Sequence, residues 1–153
     1  MMARTHLAFG FFFGLLYMKF FSVSNPFLFM TFVLLGSLLT DIDHPQSKAG
    51  RKIKPIAHLI QWMFGHRGLF HSIWIPLILF LIYNYWFKHI LLLGIIVGYI
   101  SHLLIDGITI KGINYLNPFI TLRLHGFVET NTVLETVILL IIMVFNVLWF
   151  FRF

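Results

Sequence analysis

The sequence contains no cysteine. This excludes a disulfide framework and any thiolate metal site, so a metal bound here must be held by imidazole and carboxylate. Charge is also scarce. Charged residues make up 10% of the chain, against about 25% in average soluble domains. So few charges cannot give every helix a polar face toward water, and lipid is the better solvent for them. Acidic residues are the rarest, five against eleven basic ones. The formal charge of +6 is expected to reflect the positive-inside rule and anionic headgroups. No nucleic acid partner is expected, because the basic residues are few and lie between apolar spans. No internal repeat, low-complexity tract or heptad is present.

What the chain has in abundance is apolar. Its 153 residues are 59% hydrophobic, and that length suits one domain. The fold expected is all-α, a polytopic membrane bundle of about five transmembrane helices. The apolar runs are 7–24, 26–39, 68–87, 90–105 and 133–151. The second is short for a span and calls for tilt or thinning. The first lacks a small-residue cleavage site, since Pro26 follows Ser24-Asn25, and is read as retained. Residues 41–67 form a polar segment. Within it, residues 53–64 place Ile53, Ile56, Ile60 and Phe64 on one face, which predicts an amphipathic helix in the interface. Residues 110–130 read as a loop. Trp62, Trp74, Trp86 and Trp149 suit aromatic belts.

Basic residues set the expected orientation. With the 41–67 segment in the cytoplasm, that side holds Arg4, Lys48, Arg51, Lys52, Lys54, Arg67, Lys111 and Arg123. The other side holds Lys19, Lys88 and Arg152. The expected location is therefore the inner (cytoplasmic) membrane, crossed several times.

This topology gathers the chemistry. His6 opens the first run, and Asp41, Asp43 and His44 follow the second. His66 and His71 straddle the start of the third, His102 and Asp106 end the fourth, and Glu135 opens the fifth. All fall at the cytoplasmic boundary. Ionisable groups at a membrane are expensive and usually functional. Several together are tolerable around a cation. His102 and Asp106 form HxxxD on one helical face, a spacing that suits two ligands of one ion or a plain His–Asp hydrogen bond. Asp41-Ile-Asp-His44 offers three ligands in four residues, or a capped turn ended by Pro45. Glu135 in a first helical turn also serves as ordinary dipole compensation. His58, His89, His125 and Glu129 read as interfacial or solvated polar residues.

Taken in order, Thr5-His6, LLTDIDHP (38–45), GHRGLFHS (65–72), GYISHLLIDGIT (98–109) and Leu134-Glu135 resemble the YdjM-type family of bacterial and archaeal inner-membrane proteins. The family often has Pro where Thr40 stands and Thr where Phe70 stands; neither change touches a candidate ligand. The resemblance implies a membrane-bound metal-dependent hydrolase. It also looks distantly similar to zinc-dependent phospholipase C and P1-type nucleases, which use HxxxD and a later HxxxE. Asn131 takes the His place before Glu135 here, so one or two metals are expected rather than three.

The reading is thus a hydrolase at the cytoplasmic membrane surface. The metal ligands are drawn from His6, Asp41, Asp43, His44, His66, His71, His102, Asp106 and Glu135. The cofactor expected is zinc, one or two ions, with manganese the other choice. Asp43 or Glu135 would be general base, and Arg67 would clamp a phosphate or oxyanion. Membrane lipids are the expected partners, with a phospholipid or other lipid-linked phosphoester as substrate. Two other classes compete: a metal or proton transporter, and a structural or sensing protein whose metal staples helix ends. Transporters place ligands nearer the bilayer midplane.

Overall fold

The computed structural model describes residues 1–43, 54–55, 58, 62, 68–120 and 123–151. Five α-helices carry the described fold: α1 (Ala3–Phe20), α2 (Pro26–Leu39), α3 (Trp74–Tyr85), α4 (Ile90–Gly107) and α5 (Val133–Phe150). Short 3-10 turns at Thr40–Asp43 and Leu69–His71 follow α2 and precede α3.

Local chemistry sets several of these ends. Pro26 opens α2, where its missing N–H and fixed φ are harmless, and Asn25 Oδ1 caps it by accepting from Leu28 N at 3.0 Å. Thr132 caps α5 by accepting from Glu135 N. Between α4 and α5 the expected loop contains a small antiparallel pair, β1 (Ile113–Asn114) and β2 (Arg123–Leu124). An isolated bridge from Thr109 to Val128 closes its base.

The core forms around α4. It packs most extensively against α2, and also against α1 and α3, while α5 lies against α1. Leu15, Phe29, Met30, Val33 and Val97 form the main apolar cluster. The α2–α4 crossing is close because glycines form it. A Cβ on Gly98 would run into the backbone carbonyl of Val33, and one on Gly36 into that of Ile95. Without a hydrophobic force between helices in lipid, such small-residue contacts hold spans together by close packing.

Among the described residues, two helices are long and apolar enough to cross a membrane, α4 and α5. They differ in what covers them: 56% of α4 is buried within the protein, but only 11% of α5. Val144, Phe145 and Leu148 are among the α5 side chains left exposed. The other three expected spans are helical but less decisive. α1 matches α4 in length yet carries Arg4, His6 and Lys19. α2 and α3 are apolar but have 14 and 12 residues. At 1.5 Å per residue they reach roughly 21 and 18 Å, short of a core about 30 Å thick. The run expected from residue 68 becomes helical only at Trp74. The interfacial helix expected over 53–64 falls, apart from Lys54, Pro55, His58 and Trp62, outside the described residues.

Candidate metal centre

Five residues from four parts of the chain meet at one end of the bundle. His6 comes from the first turns of α1, and Asp41 from the 3-10 turn after α2. His71 comes from the 3-10 turn before α3, and His102 and Asp106 from the last turns of α4. They form two overlapping groups with ligand geometry: His6, Asp41 and His102, and His71, His102 and Asp106. In each, the candidate ligand atoms lie within 4.8 Å of one another. The three imidazoles are fully buried, Asp106 is 1% exposed and Asp41 20%.

Backbone contacts hold each group. His102 Nδ1 lies 2.7 Å from the carbonyl of Ser37. A carbonyl only accepts, so Nδ1 carries the proton and Nε2 the lone pair. This contact depends on the glycine crossing, since Gly98 lies one turn before His102 and a wider crossing would carry Nδ1 off Ser37. His71 is placed by its turn, whose Phe70 carbonyl accepts from Tyr99 Oη. Tyr115 Oη donates to the carbonyl of Leu103 at 2.9 Å, bracing the last turns of α4. Burial, then the negative charge of Asp106, pushes the Tyr115 hydroxyl pKa up, so it stays a proton donor at neutral pH.

His102 Nε2 therefore turns its lone pair toward two carboxylates, 3.7 Å from Asp41 Oδ1 and 3.9 Å from Asp106 Oδ2. His6 stacks on His102 with ring centroids 3.8 Å apart and planes 7° from parallel. Two imidazolium ions at that spacing would repel strongly in a buried site. His6 Nε2 stands 3.4 Å from Asp106 Oδ1. His71 Nε2 lies 3.8 Å from Asp41 Oδ1 and 4.0 Å from Asp106 Oδ2. Among the described residues, neither nitrogen of His6 nor Nε2 of His102 makes a hydrogen bond. Such buried polar atoms ordinarily have partners. Two ligands of a tetrahedral zinc stand about 3.3 Å apart. The His–carboxylate separations of 3.4–4.0 Å exceed this, so the residues would draw together to hold a divalent ion.

Asp41 is the most open member. Burial acts to raise its carboxyl pKa, but His71, His102 and His6 beside it outweigh burial and hold it well below the usual carboxylate range. It is anionic throughout the physiological range, as a ligand must be. The Met1 amino group adds a positive charge 2.6 Å from Asp106 Oδ1.

Glu135 belongs to neither group. Its Oε1 accepts from Met2 N at 2.6 Å and Thr5 Oγ1 at 2.9 Å, and its Oε2 accepts from Asn131 N at 2.7 Å. It ties the start of α5 to the start of α1, one residue from His6. Asn131 precedes α5 with φ 66°, a left-handed conformation that Asn tolerates. Position 131 thus lies outside the helix, and a ligand there could not share a helical face with Glu135. The backbone of Asp43 closes the 3-10 turn after α2; its side chain, His44, His66 and Arg67 lie outside the described residues. The contacts of Ser37, Thr5 and Tyr115 were not anticipated from sequence. The one signal for Ser37 was the spacing Gly94-x-x-x-Gly98, which marks a close helix approach.

Comparison with known proteins agrees with the ordered motifs. The chain is 36% identical over 118 residues to the uncharacterized protein YvsG of Bacillus subtilis (strain 168), covering 75% of this chain and 73% of that one. It is 38% identical over 91 residues to the inner membrane protein YdjM of Escherichia coli (strain K12). That match spans 56% of this chain and 46% of the relative, less than half its length. No solved structure matches. The family described as YdjM inner membrane protein matches residues 1–152, and the chain belongs to that family.

Proposed function

We propose that this protein is a metal-dependent hydrolase working at the membrane surface, with a lipid-linked phosphoester as substrate. The observation that carries the metal reading is the lone pair of His102 Nε2, fixed by the Ser37 carbonyl and facing two carboxylates. That arrangement calls for a cation. Because Nδ1 is committed to Ser37, His102 offers one ligand atom to both groups. This favours a single ion over two.

A bound zinc, or manganese, would lower the pKa of a water and polarise a phosphoryl oxygen. The protein's own residues do the rest. Residues of the overlapping groups His6, Asp41 and His102, and His71, His102 and Asp106, would hold the ion. Asp41, the exposed edge of the cluster, is where water and substrate reach it. Asp43 would take the proton from the attacking water and return it to the lipid alcohol that leaves as the phosphoester P–O bond breaks, while Arg67 would clamp the phosphoryl oxygens. Glu135, with three donors engaged, positions α1 and through it His6, in place of the base role its sequence position suggests. The likeness to zinc-dependent phospholipase C and P1-type nucleases belongs to this proposal and rests on HxxxD at His102 and Asp106.

A second reading has its own support. Four of the five ligands are at most 1% exposed, which suits a metal that staples helix ends. One comparison separates the two. Metal content is measured by plasma mass spectrometry on detergent-purified wild type and His102→Ala, alongside release of phosphate or headgroup from lipid phosphoesters. About one equivalent of metal, lost in the variant together with turnover, supports the hydrolase. Metal with no turnover on any lipid phosphoester, and a lower melting temperature on chelation, supports the staple. Protein that stays metal-free after reconstitution overturns both.

A further inference from the structure

A groove of about 620 Å³ runs between α1 and α5, with Leu34 of α2 among its walls. Its volume is that of a site for one small ligand. Leu7, Phe11 and Met143 make it apolar, and two polar groups interrupt it. The first is Arg4, exposed, two residues before His6, and without an ion pair among the described residues. The second is Asn146, only 8% exposed. Its Nδ2 donates to the carbonyl of Ala8 at 2.9 Å, while its Oδ1 has no hydrogen-bond partner among the described residues. A polar side chain buried within a helix apolar enough to span a membrane is costly and usually serves a ligand or partner. Ala8 follows Arg4 by four residues, so the amide stands about one turn, roughly 6 Å, further along α1 than Arg4.

The geometry points to a binding site for a single-chain phospholipid, with its phosphate on Arg4, its free glycerol hydroxyl donating to Asn146 Oδ1 between Leu7 and Met143, and its acyl chain along Phe11 and Val147. This deepens the lipid-phosphoester reading above and rests on it for the substrate class, though the groove's occupancy needs no metal. The cation at the head, the lone acceptor one turn further along and the apolar remainder match the order of groups in such a lipid. A diacyl phospholipid has no free hydroxyl on its acylated glycerol and brings a second chain to a groove sized for one ligand.

The test uses chelator-treated, full-length protein in detergent, titrated with oleoyl lysophosphatidic acid and read by native mass spectrometry. One lipid should bind per chain, tighter than dioleoyl phosphatidic acid, and inorganic phosphate at equal concentration should not displace it. Arg4→Gln should weaken binding about tenfold, the loss of one charge-assisted contact. Met143→Trp, at a position 50% exposed and so tolerant of substitution, should block the groove. Asn146→Leu should erase the preference for the lyso lipid. Equal binding of both lipids by wild type, displacement by inorganic phosphate, loss of binding on chelation, or wild-type binding by Arg4→Gln and Met143→Trp overturns the site. Chelated protein that binds lipid while holding no metal when reconstituted would sink the hydrolase reading and leave the groove standing.

Discussion

Gly98→Ala should damage the candidate metal centre without touching a candidate ligand. The added Cβ would lie deep inside contact distance of the Val33 carbonyl. That acceptor is backbone and cannot swing away, so α2 and α4 must part by roughly 1 Å. Two effects oppose each other. Replacing a helical glycine by alanine gains about 1 kcal/mol in propensity. Overpacking costs about 1–3 kcal/mol, and losing the His102–Ser37 hydrogen bond, 2.7 Å long, costs about 1 kcal/mol more. The net is a destabilisation of about 1–3 kcal/mol, or on the order of several degrees in Tm. The sharper readout is metal. Outer contacts that orient a ligand are worth about 10–100-fold in affinity, so zinc should bind that much more weakly. The assay is competitive zinc titration of detergent-purified protein, with thermal unfolding beside it. Leu104→Ala, at a position 42% exposed on the same helix, is the control and should leave both readouts unchanged. Wild-type zinc affinity in a Gly98→Ala protein with wild-type Tm would refute the link from helix crossing to ligand orientation.

Glu135→Gln should cost about 1–3 kcal/mol, because the new NH₂ faces donors that the carboxylate accepted; it should lower Tm while leaving roughly wild-type metal stoichiometry, and metal loss without a Tm change would make Glu135 a ligand instead. Metal affinity should fall as pH falls, because protons compete with the ion for its ligands, and a pH-independent affinity would argue against imidazole and carboxylate ligation. Asp41 adds a pH dependence of its own in metal-free protein. Its native pKa is depressed, so its contribution to stability is complete above the unfolded value of about 3.9 and is lost as pH falls through the native one. Asp41→Asn should therefore flatten the loss of Tm below about pH 4, and an unchanged acid slope would remove Asp41 from the cluster's charge balance. The absence of native cysteine makes topology readable: Lys111→Cys in intact cells should resist an impermeant maleimide, and rapid labelling would put the metal end outside.

Much of this protein could be read from its sequence. Apolar runs and capping residues mark helices, because the 3.6-residue repeat and the end chemistry at Asn25-Pro26 and Thr132-x-x-Glu135 are local. Scarce charge points to lipid, in keeping with the family the chain belongs to. The i, i+4 spacing of His102 and Asp106 puts them on one face of α4 whatever surrounds it. Alternation of direction then brings His6, Asp41 and His71 to the same end. What opposes each face is a property of two segments at once, and only tertiary structure decides it. That His102 meets the Ser37 carbonyl follows from how closely Gly36 and Gly98 let α2 and α4 approach, which fixes the register between them. That Glu135 serves three donors follows from where the starts of α1 and α5 meet. Span length is decided the same way, since the apolar stretch beginning at residue 68 first turns as a 3-10 segment that buries His71 before α3 begins. Helix spacing and alternation account for His6, Asp41, His71, His102, Asp106 and Glu135 standing at one end of the bundle among the described residues; packing sets which of their atoms face one another, because orientation depends on the partner's backbone, which no local pattern records.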